Sequence, residues 1–387
     1  MSWELSLRRQ TTTLVKEEDA CMETNSMFLP DELIVQILQR LPVKCLIRFK
    51  CVCKSWFSLI SHDPQFAKSH FEINPATHTR RIALISNSRL GTRSFNIEAS
   101  LNDDSAVSVS PNLHFLSPLS YLDLRIKGSC RGFILLHCAS SLYLWNPSTG
   151  VHKQIPLCSN LYKHFYGFGY DHSTDDYLVV SLCNDRIPNS DSVPSHLWLF
   201  SLRANAWKEF PSTTHLPFYR IASSFNPNPE FLFNDAIHWL AFRHGMDVYV
   251  IVAFHLTERK LIEIPLPVDV DYDSTRCGLW VFRGFLSLWV LSYDAIDIWV
   301  MEEYRVHSSW SKTLVLPVGP TDFIFPICCT KSGDIVVTNG SYGLVKYNNK
   351  GEFLERNSFG KDALVFLLTM YTESLLLLPV PGDNEQG

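Results

Sequence analysis

Residues able to do chemistry stand out at only a few places in this chain. Asp269, Asp271 and Asp273, with Tyr272 among them, offer hard oxygen ligands for a cation or a counter-surface for a basic partner. Gly167-Phe168-Gly169 opens as a dinucleotide-binding loop does, but position 172 is His172 and no helix-forming stretch follows, so these read as strand or turn glycines. His238-Trp239 sits in an apolar run, where a buried histidine with satisfied nitrogens is the ordinary expectation. The eleven cysteines are an odd number without zinc-knuckle spacing: Cys51 and Cys53 are one residue apart and Cys328 and Cys329 are adjacent. Walker loops, nucleophile elbows and His-Glu-x-x-His pairs are absent. No catalytic residue, metal ligand set or cofactor is expected, and the acidic cluster reads as a solvated loop.

The elements that would have to position such groups are strands. From about residue 80, short runs rich in Val, Ile, Leu, Phe, Trp and Tyr alternate with Gly, Asn, Asp, Ser and Pro turns. Tyr166–Pro211 reads as four antiparallel strands. Comparable units end in an apolar strand and a proline at Pro156, Pro211, Pro265 and Pro317, a repeat of about fifty residues that marks a kelch-like β-propeller. A further unit spans Phe325–Glu355. The last would join Leu364–Tyr371 and Leu375–Leu378 to N-terminal strands near Arg81–Ser86 and Ser94–Ala99, closing the ring and removing its exposed edges. Six blades result, with five or seven left open. An irregular β-sandwich with chance spacing is the alternative.

Ahead of the strands lies a different texture. Residues 1–26 are polar, aperiodic and expected to be disordered. Leu33, Ile34, Ile37, Leu38 and Leu41 then fall at helical spacing behind Pro30, Asp31 and Glu32, which suit a helix start. Pro42 stops that helix and opens a second over Val43–Phe49. Val52, Trp56, Leu59 and Ile60 mark a third, ending near Asp63-Pro64. Three helices in so short a segment cannot bury their own apolar surface, and a partner must cover it. Hydrophobic residues make up 46% of the 387 and the net charge is −5, which suits a folded chain and disfavours phosphate-driven nucleic-acid binding. Arg283 and Glu373 break the most apolar stretches short of a membrane span, so a soluble cytoplasmic or nuclear protein with reduced thiols is expected.

Leu29-Pro30-Asp31-Glu32-Leu33-Ile34, Leu38-Gln39-Arg40-Leu41-Pro42-Val43-Lys44 and Arg48-Phe49-Lys50-Cys51-Val52-Cys53-Lys54-Ser55-Trp56 resemble an F-box. Gly128-Ser129-Cys130-Arg131-Gly132-Phe133, Leu144-Trp145-Asn146-Pro147-Ser148-Thr149-Gly150 and Gly167-Phe168-Gly169-Tyr170-Asp171 resemble the F-box-associated, kelch-like domain of a large plant family. The resemblance implies an α+β multidomain chain: an F-box over 27–72 and a propeller over 78–380. It further implies a non-catalytic substrate receptor of a Skp–cullin–F-box ubiquitin ligase, with a Skp-type adaptor, a cullin–RING scaffold behind it and an unidentified target protein as partners. Adaptor-facing residues would be Leu29, Pro30, Leu41, Pro42, Leu46, Val52 and Trp56, the last equally a core residue. Lys44, Arg48, Lys50 and Lys54 form a basic strip suited to an acidic adaptor or to solvent. A non-ligase scaffold or carbohydrate-binding propeller is the alternative, against which the intact Leu29-Pro30 and Leu41-Pro42 speak; a propeller oxidase or hydrolase is a third.

In a four-stranded blade the first and third turns lie on one rim, and the second loop and the link to the next blade on the other. The turns Arg131-Gly132, Asn234-Asp235, Arg283-Gly284 and Ala204-Asn205 are short, whereas the longer segments Asn184–Ser195, Leu157–Phe165, Ser212–Arg220 and Val268–Arg276 share the opposite rim. Long loops on a rigid scaffold are where binding concentrates. Expected target contacts there are Tyr162, His164, Asp185, Arg186, Tyr219, Arg220, Asp271 and Tyr272, all taken as exposed.

Overall fold

The computed structural model describes residues 29–379 apart from 74–78, 87–90, 104–106, 110–112, 117–122, 139–140, 159–161, 185–194, 211–218, 222–229, 244–245, 247, 269, 271–276, 293, 320–323, 339–342 and 359–365. Two compact units divide at Leu38. The first contains α1 (Asp31–Leu38), whose first turn hangs on the Pro30 carbonyl, an acceptor for the amides of Leu33 and Ile34. Asp31 and Glu32 sit where the helix dipole favours carboxylates.

The second unit opens with α2 (Val43–Phe49), α3 (Lys54–His62) and α4 (Pro64–Ile73). The fourth helix corrects the sequence reading, which took Asp63-Pro64 as a stop. Asp63 instead caps a new helix, its Oδ1 accepting the Phe66 amide at 2.9 Å, and Pro64 takes the first helical position, where its missing N–H costs nothing.

Strands follow in six sheets. Blade I contains β1 (Arg80–Ser86), β2 (Thr92–Asn96) and β3 (Val107–Val109). Blade II is β4 (Arg125–Cys130), β5 (Phe133–Cys138), β6 (Ser141–Trp145) and β7 (His152–Pro156). Blade III is β8 (Tyr162–Asp171), β9 (Asp176–Asn184), β10 (Ser195–Ser201) and β11 (Ala206–Glu209). In blade IV two short strands, β12 (Tyr219–Ile221) and β13 (Glu230–Phe233), share one edge of β14 (Ala236–Arg243), followed by β15 (Val248–His255) and β16 (Lys260–Pro265). Blade V is β17 (Cys277–Phe282), β18 (Phe285–Leu291), β19 (Ala295–Met301) and β20 (Trp310–Pro317). Blade VI is β21 (Phe325–Cys329), β22 (Ile335–Thr338), β23 (Gly343–Tyr347) and β24 (Phe353–Ser358).

The ring closes through β25 (Phe366–Thr372), which completes blade I by pairing antiparallel with β1, Ile82 opposite Met370. Alternation along β25 explains how one strand serves two interfaces. Leu367 and Tyr371 join the core between blades I and II, whereas Leu368 joins the core between blades VI and I. Six such apolar cores lie between successive blades. Leu375–Leu378, expected as a strand, is not one: the chain beyond β25 crosses onto blade II, where Leu376 packs against Phe133 and Phe168.

Two local devices recur. The first turns of blades II, IV and V put both central residues at positive φ, as in Arg131-Gly132 (47° and 87°), matching the twist of the paired strands. A Cβ at position 132 would lie 2.1 Å from the Ser374 hydroxyl oxygen, so glycine also admits the C-terminal segment. The repeated proline has a second use. Having no N–H, it ends the outer strand, and its carbonyl receives a donor from the next blade: Trp207 Nε1 to Pro156 (2.8 Å), Trp310 Nε1 to Pro265 (3.0 Å) and Tyr347 Oη to Pro317 (3.1 Å).

Candidate adaptor-facing and target-facing surfaces

Apolar side chains of the helices divide between interior and solvent. In α1, Leu38 is buried while Leu29 (55% exposed), Leu33 and Ile37 face outward, and Pro30 is exposed beside them. In the second unit Pro42 is exposed and Leu41 half-buried, its carbonyl accepting a hydrogen bond from His70 Nε2 of α4 at 2.8 Å. Val52 is 61% exposed. Leu46 is fully buried, which removes it from the expected contact face: at i,i+3 from the buried Val43 it points inward along α2. Trp56 is half-buried with its ring 5.6 Å from that of Phe49, so it packs within the helical unit. Phe57, 49% exposed, was not singled out from sequence. The signal was present, since it lies off the Trp56, Leu59 and Ile60 stripe of α3. Lys44, Arg48 and Lys54 are exposed; Lys50 is half-buried, and burial lowers its ammonium pKa.

On the propeller, the expected target contacts fare differently from one another. Tyr162 and His164 fall inside β8 and not in a loop. Tyr219 begins β12 and is buried, contrary to expectation: its position on an inner strand turns it toward the core of blades III and IV, and its hydroxyl donates to Glu263. Glu263 also receives Arg243 Nη1 at 2.6 Å. Arg220 lies in the same short strand. Asp185, Arg186, Asp271 and Tyr272, together with the acidic cluster at 269–273, lie outside the described residues. The described part of the long-loop rim instead exposes Met246, Val248 and Val268 at blade IV.

The short-turn rim is occupied at blades II and III. Lys68 Nζ of α4 lies 3.0 Å from Asp175 Oδ1, which Arg203 also meets through Oδ2 at 3.2 Å. Glu72 reaches Arg131 at 3.5 Å, and Phe71 packs on the core between these blades. A cavity of ≈ 310 Å³ remains at this joint, lined by His62, Lys68, Arg131, Asp175 and Arg203 over Leu376–Pro379.

Of the groups that suggested chemistry, the two glycines of blade III and His238 serve packing. A Cβ at Gly167 would sit 2.4 Å from Ile237, and one at Gly169 the same distance from Leu256, so these glycines let blade III approach blade IV. His238 is fully buried, shares a hydrogen bond with the Tyr304 hydroxyl at 2.8 Å, and is held down to about 4 by desolvation. Burial pushes the Cys130 and Cys328 thiols up to about 12, far from thiolate reactivity at neutral pH. Among the described residues, no three His, Cys, Asp or Glu side chains gather as a metal site, and no helix is long and apolar enough to cross a membrane.

Residues 28–68 match the F-box domain, and residues 82–350 match the F-box associated beta propeller domain. The chain is 34% identical over 370 residues to the F-box/kelch-repeat protein At3g23880 of Arabidopsis thaliana, covering 90% of this chain and 97% of that protein. It is 29% identical to the F-box protein CPR1 of the same plant, covering 74% and 73%. Among solved structures, AztD of Citrobacter koseri aligns over 73% of the chain and 82% of its own, with 9% identity and a TM-score of 0.40.

Proposed function

Because the chain belongs to the F-box proteins that carry an F-box associated beta propeller domain, we propose that it is the substrate-recognition subunit of a Skp–cullin–F-box ubiquitin ligase. It acts by proximity: the helices bind a Skp-type adaptor, the adaptor joins a cullin–RING scaffold, and the propeller presents a target protein for ubiquitin transfer. It performs no covalent step itself, and its place of action is the cytoplasm or nucleus. The observation that carries this reading is apolar side chains left open on each unit taken by itself, Leu29, Leu33 and Ile37 in the first and Val52 and Phe57 in the second. Exposed large apolar groups gathered in one short segment mark a protein-binding surface. The neighbouring cations Lys44, Arg48 and Lys54 favour encounter with an acidic partner.

The long-loop rim is the target face in this reading. Its support is that α4 already covers the opposite rim at blades II and III. Titration of the full chain with a recombinant Skp-type adaptor tests the proposal. Saturable binding at micromolar concentration or below is expected, and no binding by folded protein would sink it.

A further inference from the structure

We infer that Arg131 is the positioning residue that fixes α4, the helix nearest the blades within the second unit, on the propeller, and so contributes to the geometry between adaptor and captured target. The inference rests on the receptor reading for its functional meaning, though the joint itself does not. Arg131 occupies the first central position of a tight hairpin turn with φ 47°. Asparagine or glycine takes that conformation with less strain, so an arginine there is explained by what its side chain reaches. Its guanidinium carbon lies 4.8 Å from the ring centre of Phe71 on α4 and 4.1 Å from that of Tyr170 on β8. The same guanidinium meets Glu72 of α4 at 3.5 Å, with the arginine side chain only 12% exposed. The Arg131 carbonyl accepts the Ser374 hydroxyl at 3.2 Å. One residue thus touches α4, blade III and the segment that follows the closing strand.

The alternative ties are weaker. Lys68 and Asp175 are 41% and 48% exposed, and exposed ion pairs contribute little and are screened by salt. A partly desolvated cation over aromatic faces is less affected by salt and is stronger than an exposed one. The matching turn of blade V offers a contrast. Arg283 there lies 4.6 Å over its own neighbour Phe282 and donates to the Asn349 carbonyl, staying within the propeller.

Hydrogen exchange on the full chain tests this, reading the α4 amides against those of β4 and β5. Arg131→Ala and Phe71→Ala should each speed exchange in α4 ten-fold or more while β4 and β5 stay protected. Phe71→Tyr should keep wild-type protection. Arg131→Lys should behave like the alanine variant, because an ammonium keeps the charge but lacks the planar face. A mere charge contact predicts the reverse, with lysine rescuing. Unchanged α4 exchange in both alanine variants would overturn the inference. Should Arg131→Ala unfold the ring, Phe71→Ala, which leaves every blade residue in place, decides the matter. Adaptor titration on the same proteins should give wild-type affinity. If the wild-type chain binds no adaptor, the receptor reading falls while the exchange result still stands or fails separately.

Discussion

Leu46 and Val52 lie six residues apart and should report opposite things when altered. Leu46 is buried in the helical unit, so Leu46→Ala should cost about 2–4 kcal/mol of stability through lost packing. Val52 is mostly exposed, so Val52→Ser should leave the melt unchanged while weakening adaptor binding several-fold or more. Calorimetric melts and adaptor titrations on both variants check the pair, and adaptor loss with Leu46→Ala at full stability would contradict the burial. A second residue-scale expectation concerns Asp171, which is fully buried between blades III and IV. Burial pushes its carboxyl up, but hydrogen bonds from Ser173 and Thr174 and the charge of Arg259 outweigh that and hold it below the usual aspartate range. A group depressed in the folded state contributes stability above its unfolded pKa, near 4, and loses it as pH falls through the folded value. Asp171→Asn should therefore destabilise by ~2 kcal/mol at pH 7, and by progressively less as the pH is lowered below about 4. Denaturant titrations at several pH values measure the difference, and a penalty independent of pH would contradict the assignment.

At the scale of elements, the blades were legible because their repeat has a physical mark, a proline that ends the outer strands of blades II, IV and V. Tyr166–Pro211 resolved into four strands from alternation and turn residues alone. Elements defined by distant partners were not legible. Asp63-Pro64 reads equally as a stop or a start, and only α4 docking selects the second. The paired short strands β12 and β13 depend on β14 for their existence. Leu375–Leu378 has strand composition but packs as an extended segment on blade II. Tyr219 was misplaced for a related reason: a link of uncertain length hides where the next inner strand begins. The closing strand itself supports a sharp expectation. Deleting residues 363–387 removes β25 from the cores on both sides of blade I, so the truncated chain should aggregate or lose its cooperative melt. A soluble product melting like wild type would count against closure.

For the molecule as a whole, the two rims differ in availability. The short-turn rim is occupied by α4 at two blades, whereas Arg220 and the exposed Val268 belong to the opposite rim at blade IV. Arg220→Glu and Val268→Glu should reduce target capture at least ten-fold if they fall in a recognition hot spot. A substitution at the exposed Val268 should change stability by no more than about 0.5 kcal/mol. Arg283→Glu on blade V serves as the control. Quantitative affinity purification from cells compares them, and loss of capture with Arg283→Glu alone would reverse the assignment of faces.

Among the described residues, the hydrogen bonds that aromatic residues send to the blade-ending prolines run one way. Trp207, Trp310 and Tyr347 each reach back to a blade made earlier. On a ribosome this gives synthesis a partial ratchet: blades III, V and VI each emerge to find an anchor already made in the blade before. Blade I is the exception, since its inner strand is the last to be made. Arg131 also waits for Ser374, from the same late stretch. A nascent chain therefore exposes α2, α3 and α4 long before the joint between α4 and the propeller is complete, and a prematurely terminated product would carry these helices without that joint.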